Sequence, residues 1–204
     1  MSSTSQSAPA FRVPVLQTIE PPCHDAGMAR EVPSSVKGRL LVAAPDLGDP
    51  NFTRTVVYVL AHDPDGALGV VLNRPGKLPA AAALPNWAAR AAEPAMLFQG
   101  GPVETGSVIG LGRSRDGWPV PLDLAEQPED VSDGAGLVRL FAGYAGWGAG
   151  QLDSELAFDG WIVADARPED AFSAAPDGLW RAVLGRQPGT LAWLANYPDD
   201  IRAN

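Results

Sequence analysis

Cysteine and histidine are nearly missing from this chain: Cys23 is the one cysteine and His24 and His62 the two histidines in 204 residues. A single cysteine closes no internal disulfide, so the fold must be held by its core, as expected in a reducing compartment. A zinc set of nitrogen and sulfur ligands cannot be assembled from these donors without carboxylates. The adjacent Cys23 and His24 are therefore not read as a metal site, and no metal or cofactor is expected. Long apolar runs are also absent. The longest, Val56 to Ala61, falls far short of the roughly 18 residues that span a bilayer, and the opening MSSTSQSAPA lacks the basic cluster and apolar run of a signal peptide. No membrane partner is expected, and the expected location is cytoplasmic. Basic residues are outnumbered, 15 against 24 acidic, giving a formal charge of -9 and a pI near 4.6. Nonspecific nucleic-acid affinity comes from many Lys and Arg neutralising phosphates, so direct nucleic-acid binding is disfavoured, while a small local basic site stays open.

What the chain does have is a 46% hydrophobic content, enough for one core and one domain. Residues 1–36 mix Ser, Ala and Pro without a sustained period, the composition of a flexible arm, and the folded domain is expected over 37–204. Within the arm, Phe11 to Leu16 is a short apolar segment suited to docking on a partner or on the protein's own sheet. Arg39 to Ala44 reads as a strand. Thr55 to His62 and Ala67 to Asn73 are rich in β-branched residues and flank DPDG, which predicts a hairpin with both faces covered. Residues 79–92 predict two short helices separated at Pro85. Strands are expected at Met96 to Gln99, Ser107 to Gly112, Leu137 to Tyr144 and Trp161 to Ala164, whereas Arg113 to Ser132 reads as irregular. Leu179, Trp180, Val183 and Leu184 stand at helical spacing near the C-terminus.

The most informative stretch is LVRLFAGYAGWGAGQLDSELAF, read as strand, Gly-rich turn (Gly143 to Gly150) and helix (Gln151 to Phe158). A helix opening after glycines presents unpaired N–H groups that suit a phosphate or carboxylate. The dinucleotide extension is weak: Gly146, Gly148 and Gly150 are spaced GxGxG rather than GxGxxG, Trp147 is bulky where a pyrophosphate would approach, and the chain opens with a hairpin rather than a βαβ unit, although Asp165 lies where a ribose-binding acid would sit. On the helix, Leu152 and Leu156 form the core stripe, with Gln151 and Glu155 at its margin either bracing the turn or meeting a ligand. His62 at the hairpin turn is expected to orient Asp63 and Asp65, not to serve a nucleophile, for no GxSxG elbow is present and Cys23 lies in the arm. Asn73, Arg74 and Pro75 end one buried strand and Gly100, Gly101 and Pro102 another, so the two can collect at one sheet edge. Arg74 then takes a structural carboxylate or a ligand anion.

Three stretches taken together, DPNFTRTVVYVLAHDPDGALGVVLNRP (Asp49 to Pro75), FQGGPV (Phe98 to Val103) and FAGYAGWGAGQLDSELAFDGWIV (Phe141 to Val163), resemble the YqgE/AlgH family in its actinobacterial form with a longer N-terminal arm. Two positions depart from the family pattern: Asp153 stands where Glu is usual, and SVIGLGRS (Ser107 to Ser114) lacks a His often found there. The resemblance implies an α/β (α+β) domain whose mixed, mostly antiparallel sheet curls into a bifurcated pseudo-barrel with flanking helices. It implies no reaction, and the family's label as transcriptional regulators is associational. Its motif positions here are Asn73, Arg74, Gly100, Gly101, Tyr144, Gly146, Trp147, Gln151 and Glu155, carried over as ligand-binding candidates and not as catalytic residues. The expected function is a non-enzymatic regulatory or interaction protein with a protein partner or a small anionic ligand. One rival is a hydrolase or transferase using Glu155, Asp46 or Asp49 as base. The other is a nucleic-acid-binding regulator with a face built from Arg39, Arg54, Arg74, Arg113, Arg115 and Arg139.

Overall fold

Among the described residues the β-branched runs and turn residues build nine strands, and their pairing is what positions the polar motifs. The structure, a computed structural model, describes residues 35–126, 128, 136–158 and 160–197. Phe11 to Leu16, and all of the expected arm except Ser35 and Val36, lie outside the described residues. Val36 is fully buried. The strands are β1 (Leu40–Ala43), β2 (Val56–Asp63), β3 (Gly66–Val71), β4 (Pro75–Pro79), β5 (Met96–Gln99), β6 (Val103–Arg113), β7 (Pro119–Leu122), β8 (Val138–Gly148) and β9 (Trp161–Ala164). Three short α-helices accompany them among the described residues: α1 (Ala80–Ala83), α2 (Gln151–Ala157) and α3 (Leu179–Gly185). Pro85 opens a 3-10 turn after α1, where its missing N–H costs nothing.

The strand order is β4-β5-β8-β3-β2-β1-β9, and β6 also pairs with β8 and carries β7 beyond it. Only the β5–β8 ladder among these strands is parallel. Because β8 holds three neighbours, the sheet forks along it and curls into a half-barrel with the helices outside, the mixed α+β architecture expected. Alternation along β1, β2 and β9 sends Leu40, Val42, Tyr58 and Ile162 to one core, closed by α3, and Leu41, Val57, Val59 and Trp161 to a second, closed by α2. The hairpin is therefore covered on both faces. A third cluster, around Trp87, Val138 and Leu140, lies beneath α1 and the turn that follows it.

Two expectations are corrected here. The Gly-rich segment is not a turn until its last residues: β8 runs through Gly148, with Gly146 opposite Leu68 and Gly148 opposite Gly66. Glycine is needed there for a change of phase. Phe141 and Tyr144 are three residues apart yet share one core cluster, while Ala145 and Trp147 feed the other. A regular strand points residues three apart to opposite faces. Gly143, at φ +67, absorbs the extra residue, and a Cβ there would stand 2.6 Å from the Val103 carbonyl oxygen. Opposite it, β6 slips register between Val103 and Val108. Second, Arg113 to Ser132 is not wholly irregular, since it contains β7. Pro119 and Pro121 argue locally against a strand, but among the described residues β7 pairs on one side only, with β6, where proline is tolerated.

Candidate functional site

Where β3 runs into β4 and β5 ends, the chain leaves an open cavity of about 320 Å³ lined by Asn51, Val71, Arg74, Gln99, Gly101, Pro102, Thr105 and Ala142. The two motifs NRP and GGP meet here because Gln99 N–H donates to Arg74 C=O at 2.8 Å and Val71 N–H to Gly100 C=O at 2.8 Å. Gly100 and Gly101 pack so closely on β8 that a Cβ on either would overlap its backbone. Asn73 faces the other way. Its Oδ1 accepts from Val56 N–H at 2.9 Å and its Nδ2 donates to Arg54 C=O at 2.8 Å, which seals the neck of the 50–54 loop.

Arg74 is the cation of this cavity. Its Nη2 donates to the carbonyls of Thr53, at 3.2 Å, and Pro50, at 3.5 Å, and among the described residues no carboxylate forms a salt bridge with it. Partial burial lowers its pKa from the ordinary value, an effect opposed by the charge of Asp49. The eight lining residues include no carboxylate, imidazole or thiol. They offer a guanidinium, two primary amides and a hydroxyl, which can bind an anion but cannot move a proton through a general base.

Glu155 and Gln151 are elsewhere. Glu155 Oε2 accepts both buried indoles, Trp147 Nε1 at 2.9 Å and Trp161 Nε1 at 2.8 Å, and its Oε1 accepts from Gln151 Nε2 at 3.0 Å. Gln151 Oε1 in turn accepts Gly148 N–H at 3.0 Å. The expected recess shared by Arg74, Gln151, Glu155 and the opening of α2 is therefore corrected. Gln151 and Glu155 do not line the cavity, and α2 has seven residues, with Gly148 N–H already partnered by the helix's own first side chain. Tyr144 is buried in the core behind the GGP turn, and burial first, then the charge of Glu104, raises its pKa. Gly146 is a strand residue whose Cβ position abuts the Tyr144 ring. Of the nine candidates, Arg74 and Gly101 line the cavity. Asn51 and Gln99 stood inside quoted motifs without being singled out, and Thr105 sits in the β6 irregularity, which no local pattern announces.

His62, Asp165 and Arg139 have structural partners. His62 does not orient its turn: Nδ1 accepts Val36 N–H at 3.1 Å and Nε2 lies 3.4 Å from Asp153 Oδ1, so the ring ties Val36 to α2. The distance to Asp153 is short enough for the Asp side chain despite its missing methylene. Asp165, the ribose-type acid, pairs with Arg39 at 2.6 Å. Arg139 is buried, stacks 4.2 Å from the Phe98 ring centre and donates to Glu93 C=O at 2.6 Å and Ser173 C=O at 3.1 Å. Burial pushes its pKa down to about 10 against the opposing charge of Glu93.

Comparison with known proteins agrees with this architecture. A UPF0301 protein of Streptomyces avermitilis is 47% identical over 186 residues, covering 84% of this chain and 96% of its own. One of Nocardia farcinica is 44% identical over 181 residues, covering 82% and 85%. A Corynebacterium diphtheriae protein of known crystal structure matches with a TM-score of 0.75 at 30% identity over 82% of this chain and 94% of that one. The solution structure of the AlgH protein from Pseudomonas aeruginosa matches at 0.57 and 31%, over 85% and 100%. No helix among the described residues is long and apolar enough to cross a membrane. The AlgH-like family pattern, DUF179, matches residues 40–192, and this chain belongs to that family.

Proposed function

We propose that this protein is a non-enzymatic regulatory or interaction protein, acting in the cytoplasm through a single domain over 37–204 with an N-terminal arm, and that its recognition element is the Arg74 cavity. The ligand class is a small molecule bearing a carboxylate or phosphate. The observation that carries this is the state of Arg74: a partly desolvated guanidinium, held by two long contacts to carbonyls and by no carboxylate, facing a cavity of about 320 Å³. A desolvated cation gains more from an incoming anion than a hydrated one does, and charge-assisted hydrogen bonds are worth about twice neutral ones. The cavity volume lies at the lower end for ligand sites, which favours a ligand of metabolite size.

The enzyme reading loses its strongest base, because Glu155 is committed to two indoles. Asp46 and Asp49 are left; neither lines the cavity, and Asp49 is felt by Arg74 through its charge. Regulation by direct DNA contact has less support still. Arg39 is paired with Asp165, Arg54 lies over Trp180, Arg113 over Phe172, and Arg139 is buried, so they do not form one free basic face.

Calorimetry with inorganic phosphate and with succinate tests the proposal. Binding is expected for the native chain, weakened about tenfold or more in Arg74→Gln and unchanged in Glu155→Gln. Absence of binding to either anion, or turnover of a simple phosphoester or carboxylic ester that Arg74→Gln abolishes, would overturn it.

A further inference from the structure

Arg74 does two jobs with one nitrogen. Its Nη2 faces both Pro50 C=O and Thr53 C=O, at 3.5 and 3.2 Å, one beyond and one at the far end of the roughly 2.7–3.2 Å range of N–H···O bonds. Those carbonyls belong to the loop that supplies Asn51 to the cavity wall and inserts Phe52 into the aromatic cluster behind it. The Phe52 ring lies 6.3 Å from Trp147, stacked, and 5.3 Å from Trp161, edge-on. The loop closes on Arg54, a non-glycine residue at φ +54, a backbone state that persists only where its surroundings hold it.

We propose that Arg74 is a latch. In the ligand-free protein it holds the 50–54 loop, and an anion in the cavity takes over its Nη2 hydrogens, so that Phe52 shifts against Trp147 and Trp161. This rests on the anion-site reading above and adds its regulation. Carbonyl oxygen and anion compete for the same donor and repel each other across it, so the anion binds more tightly to the protein with the loop displaced. That differential affinity is what a ligand needs to move an equilibrium. The strained Arg54 backbone lowers the cost of the displaced state. Asn73, bonded to Val56 N–H and Arg54 C=O, and Thr55, whose N–H and Oγ1 donate to Phe52 C=O at 3.1 and 2.9 Å, keep the loop's end attached, so the movement is confined to Pro50, Asn51, the Thr53–Arg54 peptide and the Phe52 ring.

Fluorine NMR of the full chain labelled with fluorotryptophan reads this directly, with the six resonances assigned by single Trp→Phe substitutions. Inorganic phosphate is expected to shift the Trp147 and Trp161 signals and to leave Trp87, in the cluster under α1, in place. Arg74→Gln without phosphate should shift the same two signals in the same direction, and phosphate should add nothing further. Phe52→Leu should remove the tryptophan response while phosphate affinity by calorimetry is kept. If phosphate binds and the two signals stay still, the latch is wrong and the anion site stands. If phosphate binds neither the native chain nor Phe52→Leu, both readings fail.

Discussion

Two polar clusters lie on either side of one short loop and have opposite fates. Behind Phe52, Glu155 meets two indole N–H groups and an amide, and Gln151 meets a backbone N–H, so the donors and acceptors of this cluster meet in pairs. In front of the loop, Arg74 forms a salt bridge with no carboxylate among the described residues, Asp49 reaching it only through its charge, and the space beside it is open. The first arrangement is what a core does with unavoidable polar groups, and the second is what a binding site keeps in reserve. Polar residue content alone does not separate the two. Only the count of satisfied partners does.

The contrast can be broken most violently at the seam between the clusters. Gly101→Ala would drive a Cβ into the Tyr144 backbone, and urea denaturation is expected to show a loss of about 3 kcal/mol or more. Glu155→Ala should cost about 2 kcal/mol by the same measurement, because both indoles lose their acceptor, and Glu155→Gln should cost about half as much. Asn73→Ala leaves Val56 N–H and Arg54 C=O unpaired, and a loss of about 1.5 kcal/mol is expected in urea. Arg74→Gln should change stability by less than about 0.5 kcal/mol while weakening anion binding about tenfold or more, the reverse of the Glu155 result. If Arg74→Gln proves as destabilising as Glu155→Ala, the two clusters are of one kind and the cavity is structural.

The smallest effect concerns pH. Tyr58, by burial, and Tyr144, by burial and then Glu104, have raised folded pKa values relative to the ordinary 10.0. The unfolded chain therefore gives up these protons first, so their contribution to stability is present below pH about 10 and lost as pH rises through the raised values. Phenolate absorbance should show two tyrosines titrating late, one of them earlier again in Glu104→Gln.

Much of this was legible beforehand. The β-branched alternation of Thr55 to His62 and Ala67 to Asn73 around DPDG, the Leu152 and Leu156 stripe, and the spacing of Leu179, Trp180, Val183 and Leu184 are local patterns, and each became the element it describes. The Gly143 to Gly150 segment reads locally as a turn because glycine marks both a turn and a crowded strand, and the difference lies in what stands opposite. For Gly146 and Gly148 that is β3, about eighty residues earlier. His62 is a second case of the same kind: its partners, Val36 and Asp153, are 26 and 91 positions away. The nearby acids Asp63 and Asp65 were only the obvious ones.

From the amino-acid order alone follow the elements, the covered hairpin, the family resemblance and the poverty of catalytic side chains, since periodicity, turn chemistry and composition are properties of neighbouring residues. The tertiary structure decided that β8 is one long strand with a phase change at Gly143, that Glu155 is consumed by Trp147 and Trp161, and that Arg74 is not consumed by any carboxylate among the described residues. Whether a polar group is spent or available depends on a partner brought across the fold, and no local pattern carries that distance.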